Sequence, residues 1–233
     1  MKYLSWKEET ISDFSVNNIA DMYEKGFVFT RIGKGVMQQT RSLRIDLNKF
    51  ELSSENRRIL KKVPSLEMKQ VDLPLPSSQY DFSISKMAKD FYDKKFGSNI
   101  MSAQKVKEML TDPDKSNFNQ LLKFQNVQSH RDVPHSDPQK SEICNGYTIT
   151  YSSPTILHYS YPFYDLNNCP KDMGLAMMVT AVQKAKEMGL KYVYLGSLQR
   201  PTDVYKLQFS ELQWFDGNRW STDLAEAKKI LAS

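Results

Sequence analysis

Apolar residues recur along this chain with two periods, and the period switches where the element type switches. Val16, Ile19, Ala20 and Tyr23 stand at helical spacing ahead of Gly26, which predicts a helix over Val16 to Lys25 closed by glycine. Arg41 to Leu47 alternates polar and apolar positions, as a half-buried strand does, and puts Arg41 or Arg44 on the polar face. In Leu52-Ser53-Ser54-Glu55-Asn56 a serine can cap a helix that runs through Arg57, Arg58, Lys61 and Lys62 to Pro64. Helical patterns return around Ile84 to Lys94 and Ala103 to Leu110, and Asn126 to Lys140 reads as a long polar loop.

The second half is more regular. Tyr147 to Tyr151 and Ile156 to Tyr164 are rich in β-branched and aromatic residues and predict consecutive antiparallel strands. Gly174 to Met188 places Leu175, Met178, Val179, Val182 and Met188 along one helical face and stops at Gly189, directly before the strand pattern Leu190 to Gly196. Strand, loop, helix and strand form a βαβ crossover, so the sheet is mixed and the class is α/β (α+β). The proline-bearing stretch Val71 to Ser78 is the best boundary, dividing a basic segment, 1–70, from the remainder, 71–233.

Composition narrows the class. Of 233 residues, 40% are apolar and 25% charged, which describes a globular chain able to build a core. The sequence holds no apolar run of ~18 residues and its N-terminus lacks an apolar leader, so no membrane partner and a cytoplasmic location are expected. Cys144 and Cys169 lie far apart and read as free buried thiols, too few for a Cys-only metal centre. His130 and His135 bracket Pro134 in the polar loop, so no metal and no cofactor are expected. The net charge of +5 conceals an asymmetry: residues 31–70 carry ten Lys/Arg against four acidic residues, a footprint suited to a polyanion or to a solvated surface.

Three features bear on chemistry. Ile32-Gly33-Lys34-Gly35 lacks the GxxxxGK[ST] pattern of a nucleotide-binding loop. Lys171-Asp172-Met173-Gly174-Leu175-Ala176 sets a glycine at a helix N-terminus after a strand, where backbone N–H groups can face an anion. That spacing resembles the pyrophosphate loop of Gcn5-related N-acyltransferases, with lysine first. Tyr161, Tyr164, Asp165, Tyr192, Tyr194 and Tyr205 gather hydroxyls and a carboxylate at strand ends, as core aromatics or as groups that position a substrate and protonate an alkoxide. With no G-x-S-x-G elbow, direct transfer suits the sequence better than hydrolysis through a covalent intermediate.

Several segments, in order and spacing, resemble the arginyl-tRNA–protein transferase family, which includes bacterial aspartate/glutamate leucyltransferases. The likeness starts at Gly26-Phe27 and Arg31 and is clearest in Ser42-Leu43-Arg44-Ile45 and in Phe50 to Arg58, similar to the family's F-x-P-S-x-S-Q-R-R signature. Tyr161-Pro162-Phe163-Tyr164-Asp165 and Lys171-Asp172-Met173-Gly174 continue it. Ala185 to Gly196 follows the pattern A-x-E-x-G-x-x-Y-x-Y-L-G, Tyr205-Lys206 with Phe209 matches N-Y-K-x-x-F, and Asp216-Gly217 to Trp220 is similar to D-G-x-x-W. The chain departs from the family at IGKGVMQQTR, where relatives carry a cysteine cluster, and at Arg200 to Val204.

The resemblance implies a Gcn5-related N-acyltransferase (GNAT)-like mixed sheet flanked by helices, with a basic N-terminal segment. It implies transfer of arginine or leucine from an aminoacyl-tRNA to the α-amine of an acceptor protein, whose N-terminal residue is acidic. Asp165, Tyr164, Tyr194, Tyr205 and Lys206 are then the catalytic candidates. Arg31, Arg44, Arg57, Arg58, Lys61, Lys62, Lys171, Gly174 and Gly196 would hold tRNA or substrate. An acyl-CoA-dependent N-acetyltransferase and a non-catalytic binding module on the same fold are the alternatives.

Overall fold

The computed structural model describes residues 4–63, 66–126 and 144–232. In chain order its elements are β1 (Lys7–Thr10), α1 (Val16–Glu24), β2 (Phe27–Phe29), β3 (Val36–Gln39), β4 (Ser42–Asp46), α2 (Ser54–Lys62) and β5 (Leu66–Asp72). Then follow α3 (Phe82–Phe96), α4 (Ala103–Thr111), β6 (Gln120–Asn126), β7 (Cys144–Ser152), β8 (Ile156–Tyr164), α5 (Met173–Glu187) and β9 (Tyr192–Ser197). A 3-10 helix (Pro201–Gln208), β10 (Leu212–Phe215), β11 (Trp220–Ser221) and α6 (Leu224–Ala232) complete the chain.

Among the described residues the main sheet has the order β11-β10-β4-β9-β8-β7-β6-β5, and β1-β3-β2 form a small second sheet. Every neighbouring pair in the main sheet is antiparallel except β8 and β9. α5 makes that one parallel crossover; of the expected face it buries Met178, Val179 and Val182, together with Ala176 and Ala185, while Leu175 is half-buried and Met188 is exposed. The mixed α/β class expected from the sequence is therefore observed.

Local signals explain the helix ends. The Ser15 hydroxyl accepts from Asn18 N–H to open α1, and Ser53 and Asn56 form a reciprocal capping box at α2. α1 ends before Gly26, whose φ of +81° lies in the left-handed region; a Cβ there would also fall 2.3 Å from Phe215 Cδ1. Tyr23, fully buried on α1, packs its ring against Phe29, Tyr151, His158 and Tyr194. α1 is thus clamped over the middle of the sheet.

The basic segment 1–70 is woven into the main sheet, since β4 lies between β10 and β9 and β5 pairs along its whole length with β6. The stretch after β5 is packed, with Leu75 only 3% exposed and its N–H donated to Leu110 O. The cysteines are not free thiols: Cys144 and Cys169 form a disulfide, with Cα atoms 4.9 Å apart. The β7–β8 hairpin brings them together, because Gly146 pairs with Tyr164 and Asp165 N–H is donated to Asn145 O, folding the following loop back onto the start of β7. His130, His135 and most of the polar loop lie outside the described residues. No helix among the described residues is long and apolar enough to cross a membrane.

Candidate active site where two parallel strands diverge

β8 and β9 pair only through Ile156–Tyr192, Leu157–Val193 and His158–Tyr194, then part. Each strand carries one extra residue where they separate. On β8, Tyr161 pairs with Ile149 and Tyr159 with Thr150, so Ser160 is a bulge. On β9, Ser197 pairs with Ser42 and Tyr194 with Arg44, so Leu195 and Gly196 oppose Leu43 alone, and Gly196 has φ +73°. Two bulges at one level open a wedge in the sheet where the pairing of β8 with β9 ends.

Side chains from four elements surround the opening. The 3-10 helix is fixed by the Asp203 carboxylate, which accepts from Gln199 N–H at 2.9 Å and Arg200 N–H at 3.0 Å. This sets Lys206, whose Nζ donates to Ser197 O at 2.9 Å and stands 3.5 Å from Asp203 Oδ1. From the β2–β3 loop, Arg31 donates to Ile100 O at 2.6 Å and lies 5.8 Å from the Tyr161 ring centroid. Tyr205 is 42% exposed; desolvation by its neighbours, with the Asp203 charge, pushes its pKa up, so the phenol is protonated. Burial also raises the pKa of the Tyr92 phenol, with the charges of Tyr161 and Tyr205 adding to the effect and Arg31 opposing it. The hydroxyl of Tyr159, 2% exposed, faces that of Thr148, and burial pushes its pKa up.

Behind the wedge a row of polar and aromatic side chains crosses five strands. Tyr151 pairs with His158, His158 with Tyr194, Tyr194 with Arg44, and Arg44 with Gln213. His158 Nδ1 is 2.9 Å from Tyr23 Oη, and burial, with the nearby Lys206 charge, pushes its pKa down to about 3. Arg44 lies 4.2 Å from the Tyr192 ring centroid and 4.0 Å from that of Trp220. Its Nε donates to Gln213 Oε1 and its Nη1 to Glu24 Oε2. The row ends at an open cavity of about 750 Å³ whose lining includes Lys25, Arg44, Arg219 and Trp220.

The residues singled out in the sequence therefore fall in four places, the last being the connection from β8 to α5. Lys206 reaches Ser197 O, next to Gly196, with its Nζ 5.9 Å from the Tyr205 ring centroid, and Arg31 stands over Tyr161, the residue after the β8 bulge. Arg44 and Tyr194 belong to the row behind the wedge; Tyr194 is 1% exposed, with its ring against Tyr23 and Trp220. Arg57, Arg58, Lys61 and Lys62 lie on α2, with Lys62 joined to Asp172 at 2.7 Å, next to Lys171. Arg58 pairs with Glu55 and Arg57 donates to Leu52 O. Asp165 spends its carboxylate on its own turn, accepting from Asn167 N–H and Asn168 Nδ2, both at 2.8 Å. At Gly174 a Cβ would sit 3.1 Å from Tyr164 Cε1, a close approach of the helix start to that ring. Tyr164 itself is 8% exposed, its ring 5.0 Å from Phe91. Tyr92, Tyr159, Tyr23 and His158 carry no local signal of a site, because what assembles them is strand register and long-range packing.

No family model matches the chain. It is similar to proteins named aspartate/glutamate leucyltransferase. The protein of that name from Stenotrophomonas maltophilia (strain K279a) is 30% identical over 90 residues, 38% of this chain and 36% of the relative. The one from Dinoroseobacter shibae is 25% identical over 188 residues, 77% of this chain and 61% of the relative. The chain thus spans less than two thirds of the length of either relative. Among solved structures, L-PGS from Bacillus licheniformis has a TM-score of 0.48 at 12% identity, covering 94% of this chain and 71% of that one. FemX has a TM-score of 0.47 at 11% identity, covering 93% of this chain and 65% of that one. The sequence relation is to aminoacyltransferases.

Proposed function

We propose that the chain is an aminoacyltransferase that takes an aminoacyl group, leucine by analogy with the named relatives, from an aminoacyl-tRNA. The acceptor is the α-amine of a protein with an acidic N-terminal residue. The observation that carries the reading is the doubly bulged wedge lined by Arg31, Tyr205 and Lys206, three of the positions that match the family motifs. The acceptor amine attacks the ester carbonyl, an amide bond forms, the ester C–O bond breaks, and a proton passes from the amine to the departing 3′ oxygen. A free α-amine has a pKa of ~7.7–8.0, so about a tenth is neutral near pH 7, and holding it against an activated ester supplies much of the acceleration.

In this reading Tyr205 stays protonated and donates to the leaving oxygen. The Lys206 ammonium, steadied by Ser197 O and Asp203, stabilises negative charge on the tetrahedral carbon's oxygen. Arg57, Arg58, Lys61, Lys62 and Lys171 form a basic ridge for phosphates of paired tRNA. Tyr164, Tyr194 and Asp165 act by holding the strands and the turn that frame the wedge. The test is incubation with radiolabelled leucyl-tRNA and other charged tRNAs and a peptide panel bearing N-terminal Asp, Glu, Arg and Lys. Label on the acidic peptides is the expected result; label on none of them, with any charged tRNA, refutes the proposal.

A further inference from the structure

The end of α3 and the 3-10 helix present exposed aromatic rings among cations beside the wedge. Phe96 and Tyr205 are each 42% exposed. Phe96 is backed by Tyr92 and Phe91 at centroid separations of 5.5 and 6.3 Å, and the Arg200 guanidinium lies 4.6 Å from its centroid. Lys94 and Lys95 close α3 and are exposed. The acidic residues of that turn are already engaged, Asp90 with Lys86 and Asp93 with Lys89. Arg31, through Ile100 O, ties the β2–β3 loop to the segment that follows Phe96. The rim therefore combines exposed rings, a guanidinium plane and a local excess of positive charge.

We infer that this rim is a platform for unpaired nucleotides, with bases stacking on Phe96, Arg200 and Tyr205 and phosphates held by Arg31, Lys94 and Lys95. Rings and guanidinium planes stack bases of any sequence, and flanking cations follow the backbone of a single strand. The basic ridge of α2 differs, since its cations lack exposed rings and suit phosphates of a duplex. The inference rests on the proposed transfer for its natural occupant, the single-stranded 3′ end of a charged tRNA, which must reach the wedge to present its ester. A rim mixing rings and cations also meets the general requirements of an anionic lipid surface, and the test separates the two.

Fluorescence anisotropy of the full chain is measured with a short single-stranded RNA, with the same RNA annealed to its complement, and with phosphatidylglycerol vesicles. The single strand binds more tightly than the duplex, and Phe96→Ala weakens it about tenfold. Lys94→Gln with Lys95→Gln weakens it further and lowers the slope of log affinity against log salt by roughly 0.7 for each cation removed. These side chains are exposed, and thermal unfolding confirms that the variants fold. Wild-type affinity for the single strand in both variants overturns the platform, as does binding to vesicles but not to RNA. Leucyl transfer is assayed in parallel. RNA binding that depends on Phe96, with no transfer by the wild type, refutes the transfer reading alone; transfer by the wild type, with RNA binding indifferent to Phe96, Lys94 and Lys95, refutes the platform alone.

Discussion

His158 makes the stability of this fold depend on pH in a way that can be worked out from its surroundings. The imidazole is 2% exposed, its Nδ1 is bonded to Tyr23 Oη, and the nearby Lys206 charge adds to the penalty for a second positive charge. Its pKa is about 3 when folded, against about 6.5 in an unfolded chain. Between these values the unfolded state binds more protons, so stability rises with pH through the window and is lost as pH falls. The slope approaches about 1.4 kcal/mol per pH unit, and at pH 5 the fold has lost roughly 2 kcal/mol relative to pH 8 through this one group. Carboxylates such as Glu51, Glu55, Asp81 and Asp172, held low by hydrogen bonds and neighbouring cations, act in the same direction at lower pH, so the comparison must isolate the histidine. Urea unfolding of wild type and His158→Gln from pH 8 to pH 5 does this. The variant is less stable at pH 8, and the gap narrows by about 2 kcal/mol at pH 5. Parallel curves across that range would refute the reasoning.

Other perturbations test other parts of the structure. Reducing the Cys144–Cys169 bond, or replacing both residues by Ser, releases a loop of sequence separation 25. Thermal or urea unfolding with and without a dithiol should register a loss of ~3 kcal/mol, and an unchanged midpoint would show that the bond does not constrain the unfolded chain. Tyr205→Phe removes the hydroxyl assigned to the departing oxygen while keeping the ring. The rate of transfer at saturating substrate is expected to fall ~100-fold or more with little change in KM, whereas an unchanged rate removes Tyr205 from the chemistry.

How much of this could be read from the chain depends on whether a feature is local. α1, β4, α2 and the β8–α5–β9 unit are legible because periodicity, caps and glycine stops are written within a few residues. The small sheet and the β10–β11 hairpin were missed, since β1 is wholly exposed and β11 is only Trp220–Ser221, too little sequence to show an alternation. The wedge was only half legible. Motif matches pointed to Arg31, Gly196, Tyr205 and Lys206 separately, but their convergence depends on two register shifts set by partner strands. The bond from Tyr23 to His158, 135 residues apart, and the disulfide share that origin. Asp165 and Gly174 are suggestive in sequence, and in the structure the first accepts hydrogen bonds from its own turn while the second lies against the Tyr164 ring.

Gly196 offers a way to separate the wedge's function from the fold that holds it, by comparison with Gly26. Both have left-handed φ, +73° and +81°, so alanine at either costs ~1–2 kcal/mol of backbone strain. At Gly26 a Cβ would also collide with the buried Phe215 ring, whereas at Gly196 no heavy atom lies within 4 Å of the new methyl. Gly26→Ala should therefore destabilise well beyond the strain alone, and Gly196→Ala by the strain only. Gly196→Asn, whose side chain tolerates the left-handed region, should cost less strain while placing a larger group beside Ser197 and Lys206. If the opening between β8 and β9 admits the aminoacyl ester, transfer by Gly196→Asn falls by an order of magnitude or more in a chain that unfolds close to the wild-type temperature. Full transfer by that variant would mean that the ester reacts elsewhere, and that the two bulges serve the sheet alone.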